Sequence, residues 1–101
     1  MKKELIDYND GGAELEAFVA YEEADSLKPL VLVVHDWSGR RDFACKAAER
    51  VAGMGYVGMA VDMYGKGVFG SDGDVELNSS LMDPFASDRA MLRDRITAAL
   101  E

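Results

Sequence analysis

The sequence predicts an α/β fold: a β-hairpin, then a strand–helix–strand unit with parallel strands, then helices. Three features carry that expectation. A strong turn signal separates two extended stretches, two uninterrupted apolar runs read as buried strands, and helical spacing fills the interval between those runs. With 101 residues, 49% hydrophobic and 30% charged, the chain has the composition of one compact folded unit. It divides into a hairpin over 1–22, a βαβ unit over 29–64, a glycine-rich loop over 65–74 and a helical segment over 75–101.

Glu4 to Tyr8 and Glu14 to Tyr21 read as strands. In the second, Leu15, Ala17, Val19 and Tyr21 fall on one face and Glu14 and Glu16 on the other, the period-two pattern of a half-buried strand. Asn9-Asp10-Gly11-Gly12 lies between them, and these residue types tolerate the positive φ that a tight hairpin demands. A polar link, Glu22 to Lys28, leads to Pro29.

Leu30 to Val34 is continuously apolar, so it reads as a strand buried on both faces. It runs into His35-Asp36-Trp37-Ser38-Gly39. Asp42 to Met54 reads as a helix with Phe43, Ala47, Val51 and Met54 at helical spacing, stopped by Gly55. Tyr56 to Met63 is a second buried strand, and a strand–helix–strand sequence with short joints predicts a parallel pair. Beyond the loop, Leu77 and Leu81 anchor a helix that Pro84 should break or kink. Ser87 or Asp88 caps a last helix whose apolar stripe is Met91, Leu92, Ile96, Ala99 and Leu100.

The net charge of −8 repels phosphate backbones, and no basic stripe offsets it, which argues against nucleic acid and anionic membrane as partners. The apolar run 29–34 is too short to span a bilayer, and the first residues lack the pattern of a signal peptide. The single cysteine, Cys45, makes no internal disulfide. A cytoplasmic location is the expectation.

Leu32-Val-Val-His-Asp-Trp-Ser-Gly39, followed by a helix and by Gly55-Tyr-Val-Gly-Met-Ala-Val-Asp-Met-Tyr-Gly65, resembles the dienelactone hydrolase family. In that family a buried strand ends in a His-Glu-x-x-Gly type turn, and the next strand has a Gly-Tyr lead-in and an Asp-x-Tyr-Gly exit. The resemblance covers nearly the whole chain but only the first half of the family's domain, so it implies the N-terminal half of an α/β-hydrolase fold. It implies catalytic roles for Trp37, whose backbone N–H would be one oxyanion-hole donor, and for Asp36, which stands where the family's acidic residue contacts a cysteine nucleophile. Asp36 is one methylene shorter than the Glu usual there. Tyr64 and Lys66, in and just after the Asp-x-Tyr exit, would contact an acidic substrate. No cofactor is implied. The family's nucleophile turn, Gly-x-Cys-x-Gly, does not occur in these residues.

Four other constellations have simpler readings. His35, Asp36 and Ser38 invite a triad, but neighbours at a strand end point to opposite sides and cannot line up as a relay. His35 reads instead as a structural residue bonded to loop backbone. Cys45 lies in a helix, away from any turn that would activate it, and reads as a small inert thiol. Gly65-Lys-Gly-Val-Phe-Gly70 matches a dinucleotide fingerprint but runs into the acidic loop Ser71-Asp-Gly-Asp74 rather than a helix. Asp36, Asp62 and His35 could form a metal site, although loop capping explains Asp62 more simply.

The expected activity of the intact parent is hydrolysis of a carboxylic ester or lactone by a cysteine nucleophile, with these residues supplying the oxyanion-hole half and being inactive alone. The alternative is a non-catalytic half-domain. The strand Leu30 to Val34 would then lack a neighbour on one side and would recruit a second copy or a complementing C-terminal half. A flavodoxin-like binding protein would share the βαβ unit but not the hairpin.

Overall fold

The computed structural model describes residues 1–23 and 28–100, so most of the expected polar link lies outside the described residues. Its elements are β1 (Lys2–Asp10), β2 (Ala13–Tyr21), β3 (Leu30–Val33), α1 (Asp42–Gly53), β4 (Val57–Ala60), α2 (Val75–Ser87) and α3 (Arg89–Ala98). The four strands form one mixed sheet in the order β1-β2-β4-β3. β1 and β2 pair antiparallel through a two-residue turn in which Gly11 takes φ 61°. β3 and β4 pair parallel, as expected of the βαβ unit. β2 also pairs antiparallel with β4, joining Phe18 to Ala60 and Ala20 to Gly58, which seats the hairpin beside the βαβ unit.

The sheet is covered on both faces. On one, Ala17, Val19, Met59, Val61 and Met63 form the main core with Ala99, and Phe85, Leu92 and Ile96 from α2 and α3 pack against it. On the other, Ala44 and Ala48 of α1 meet Ala60, flanked by Phe18 and Val33. The alternation of Met59, Ala60 and Val61 between these clusters is the strand period at work. Full burial of a side chain such as Val61 contributes about 1.5–3 kcal/mol.

Several expectations need correction. The apolar run of β3 is not fully buried on its faces: Leu30 and, just past the strand, Val34 are 47% and 49% exposed, because among the described residues only β4 pairs with β3, which leaves the open side that the half-domain reading expects. The buried face of α1 is Ala44, Ala48 and Ala52. Phe43 and Met54 are 73% and 72% exposed. The cause lies on the sheet, where Gly58 abuts the α1 backbone so closely that a Cβ there would overlap the Ala48 carbonyl. Only small residues fit under a helix that close.

α2 is anchored by Asn78, buried to 1% exposure, rather than by Leu77, which is exposed. α2 also runs through Pro84: the proline stands in the last turn, where it forfeits a single intrahelical bond, and the chain continues until Asp88 N–H donates to the Pro84 carbonyl. Asp88 then caps α3 by accepting from Met91 N–H at 3.1 Å. Leu100, expected in the apolar stripe of α3, is exposed.

Candidate functional site

Because β3 and β4 are parallel, their carboxyl ends open on the same side, the position where open α/β sheets hold ligands. The turn after β3 and the exit from β4 are stitched together there. His35 Nε2 accepts a hydrogen bond from Met63 N–H at 3.0 Å. An amide can only donate, so the ring proton sits on Nδ1, which donates to the Asp36 carbonyl at 2.6 Å. The Tyr64 hydroxyl donates to the Trp37 carbonyl at 2.9 Å. His35 is thus bonded to loop backbone, as its sequence context suggested.

Within the turn, Asp36 Oδ1 accepts from Ser38 N–H at 2.9 Å and from Ser38 Oγ at 2.6 Å. These bonds hold the Asp36 carboxyl below the usual carboxylate range. Gly39 N–H closes the turn on the Asp36 carbonyl at 3.2 Å. Gly39 has φ 98° and lies against the Tyr64 ring, so a side chain there would strain the backbone. Trp37 N–H makes no hydrogen bond among the described residues. Trp37 is among the residues that line a cavity of about 220 Å³, with Val34, Met63, Tyr64, Met82 and Phe85.

The β4 exit is fixed from below by Asp62, which is buried. Its Oδ1 accepts from Tyr64 N–H (3.1 Å) and Gly65 N–H (3.0 Å), and its Oδ2 accepts from Glu16 N–H of β2 at 2.9 Å. Tyr8 grips the same residue by its backbone, accepting from Asp62 N–H at 3.1 Å. Asp62 is therefore a loop cap whose oxygens are engaged by amides. Arg95 of α3 donates to the Met63 carbonyl at 2.7 Å and pairs with Asp10 at 2.9 Å. The loop after Gly65 is pinned by Asn78, which accepts from Ser71 N–H and donates to the Ser71 carbonyl.

Of the residues singled out from sequence, the structure brings Asp36, Trp37 and Tyr64 around one cavity. Lys66 is elsewhere. Its ammonium pairs with Asp7 at 2.9 Å and lies 3.9 Å from Glu16, on the hairpin side, and the Asp7 hydrogen bond raises its pKa. A larger cavity of about 650 Å³ lies across the turn, lined by Arg40, Arg41, Cys45 and Phe69 among others, without Trp37. Cys45 is half-buried, and burial pushes its thiol pKa up. Sequence reasoning passed over Arg40, Asn78 and Arg95. Their signal is a polar residue inside an otherwise apolar or loop context, which becomes legible only when the partner is known.

The parallel strand pair and the turns at its carboxyl end agree with the resemblance carried by the motifs. The model of the Dienelactone hydrolase family matches residues 15–101. The chain belongs to the dienelactone hydrolase family. Two solved structures are similar: m3DLH, with 32% identity and a TM-score of 0.88, and a dienelactone hydrolase-like promiscuous phosphotriesterase from metagenomic libraries, with 31% identity and a TM-score of 0.88. Each alignment covers 98% of this chain and 41% of the other, so this member of the family spans about two-fifths of those relatives' length. No curated protein matches it. Among the described residues no helix is long and apolar enough to cross a membrane.

Proposed function

We propose that the intact protein hydrolyses carboxylic esters or lactones, and that these residues supply one half of its oxyanion hole. The observation that carries this reading is the unpaired Trp37 N–H at the carboxyl end of β3. A tetrahedral intermediate places negative charge on one oxygen, and a fixed amide dipole stabilises that charge without reorganising. Trp37 is the oxyanion donor in this reading, Asp36 stands beside the nucleophile, and Tyr64 walls the substrate cavity. Lys66 has the weakest claim to a substrate role, since Asp7 occupies its ammonium. The nucleophile and its partners are assigned to the part of the relatives' fold outside the 41% that this chain covers. Cys45 is not the nucleophile.

The test is an aryl-ester assay on the 101-residue chain and on a longer protein that includes it. An aryl phosphotriester run in parallel covers the activity for which one relative is named. The longer protein should turn over the ester, and the chain alone should give no rate above buffer. A rate in the chain that survives removal of every longer species would overturn the division of labour. A cytoplasmic location belongs to the same proposal, and the single cysteine agrees with it.

A second reading has its own support in the edge position of β3, whose outer side pairs with no strand among the described residues. Exposed Leu30 and Val34 make that edge apolar, the kind of edge that recruits another strand. Self-association or co-assembly with a complementing half follows from it. A clean monomer at high concentration in sedimentation would count against it.

A further inference from the structure

We propose that His35 is a positioning residue for the oxyanion hole, its ring setting the peptide plane that presents the Trp37 N–H. This inference rests on the assignment of that N–H as an oxyanion donor and adds the group that aims it.

The Trp37 N–H and the Asp36 carbonyl belong to one peptide unit. The unit is planar and trans, so whatever fixes the carbonyl fixes the direction of the N–H on its other side. Two donors fix it: His35 Nδ1–H at 2.6 Å and Gly39 N–H at 3.2 Å, which between them engage both lone pairs of the oxygen. Hydrogen bonds to the carbonyl also polarise the amide and strengthen its N–H as a donor, by about 10–30% per bond. The neighbouring peptide is held separately, by the Tyr64 hydroxyl on the Trp37 carbonyl.

His35 can serve in this way only with its proton on Nδ1. That tautomer is imposed by Met63 N–H on Nε2, and the peptide unit that carries this N–H is itself held by the Tyr8 hydroxyl, which donates to its carbonyl, that of Asp62, at 3.3 Å. The Tyr64 ring stands edge-on at 4.8 Å and limits rotation of the imidazole. A connected path therefore runs from Tyr8 of β1 through the β4 exit and the His35 ring to the Trp37 amide.

The chemistry makes the path sensitive to acid. A second proton on His35 must go to Nε2, where it would face the Met63 N–H, donor against donor. The ring would have to turn, and the Asp36 carbonyl would lose its short bond. The groups facing His35 divide in sign. Burial disfavours the imidazolium most, and Arg40 adds to that. The bond to the Asp36 carbonyl and the Asp62 and Asp36 carboxylates favour it. The balance lowers the His35 pKa. Arg95 reaches the ring only through Met63, and Tyr64 faces it as a neutral phenol.

His35 and Trp37 are the single histidine and the single tryptophan of the sequence, so their signals are unambiguous. The experiment is a nitrogen-15 NMR titration of the 101-residue chain, following the His35 ring and the Trp37 backbone amide. The expected result is a neutral ring protonated on Nδ1. The Trp37 amide should shift with the same midpoint as the ring, below that of an ordinary imidazole. His35→Asn, whose amide N–H can stand where Nδ1–H stood, should keep the neutral-pH amide position and abolish the titration. His35→Ala should displace the amide at every pH. Where the ester assay detects turnover, His35→Ala should lower kcat roughly 10- to 100-fold with KM little changed, and His35→Asn should restore most of it. A ring protonated on Nε2, or a Trp37 amide indifferent to His35 ionisation, would overturn the proposal. Absence of ester hydrolysis in the longer wild-type protein would instead overturn the functional reading, while the titration decides the positioning by itself.

Discussion

The Tyr64 hydroxyl donates to the Trp37 carbonyl at 2.9 Å, a bond that ties the exit of one parallel strand to the turn after the other. Tyr64 also contacts Gly39 and stacks at a tilt on Phe85 of α2, 5.8 Å between centroids. One side chain thus links both strand ends to the helix that walls the cavity. Burial, with a smaller push from Asp36, raises its phenol pKa, so the donor proton is present at neutral pH.

Tyr64→Phe removes that bond and keeps the ring. The expected loss of stability is about 0.5–1.5 kcal/mol, the net worth of one typical hydrogen bond, toward the lower end because this one is exposed. Urea unfolding should register it, and the emission of Trp37 should change in the folded baseline. An unchanged midpoint together with unchanged emission would mean that the hydroxyl does not hold the turn.

Asp62→Asn tests the cap beneath the site. The carboxylate accepts from three amides, those of Glu16, Tyr64 and Gly65. A carboxamide keeps one oxygen and turns an NH₂ toward at least one N–H, so a donor is set against a donor in a buried place. The expected cost is about 1–3 kcal/mol per amide left unmet. Hydrogen exchange should quicken at the amides that lose their acceptor. Exchange rates unaltered at all three would refute the capping role.

Sequence pattern and structure agree where periodicity decides, and part company where a single close contact does. The hairpin, the parallel pair and the caps at Asp88 and Gly55 are local or periodic signals, and the chain obeys them. The helix face of α1 is not such a signal. Phe43, Ala47, Val51 and Met54 repeat as well as Ala44, Ala48 and Ala52 do, and larger side chains invite the assumption of burial. Gly58, on a strand remote in sequence, reverses that choice by bringing the sheet against Ala48. The site divides the same way. Trp37 and Tyr64 were legible because motifs locate strand ends, while Arg40 and Asn78 depend on partners 24 and seven residues away. Lys66 was legible as a cation near a strand exit, but its direction depends on Asp7 across the sheet.

The Arg40–Glu16 pair should respond unequally to removal of its two members. Arg40 is only 7% exposed, and its Nη2 meets Glu16 at 2.8 Å, while its Nε has no partner. Glu16 has a second cation, Lys66, at 3.9 Å. Glu16→Ala therefore strands a buried guanidinium and should cost about 3–5 kcal/mol. Arg40→Met replaces the charge with an apolar chain and leaves Glu16 near Lys66, so it should cost clearly less. Denaturant midpoints of both variants decide the matter, and equal losses would mean that the pair acts as a symmetric bond.

Cys45 offers a pH test with a definite sign. Burial raises its pKa, and Arg40, which donates to Sγ at 3.6 Å, opposes that rise without cancelling it. The thiolate is the reactive form, so at neutral pH its population lies below that of an unperturbed cysteine. Alkylation by iodoacetamide should be slower at pH 7 than for a free thiol, and its rate should climb at a higher pH. Arg40→Met withdraws the opposing cation and should move that climb higher still, provided the variant stays folded by circular dichroism. Fast alkylation at neutral pH would mean an activated thiolate. Cys45 would then have to be reconsidered as a nucleophile, at the head of a cavity that contains Arg40, Arg41 and Phe69 but not the amide of Trp37.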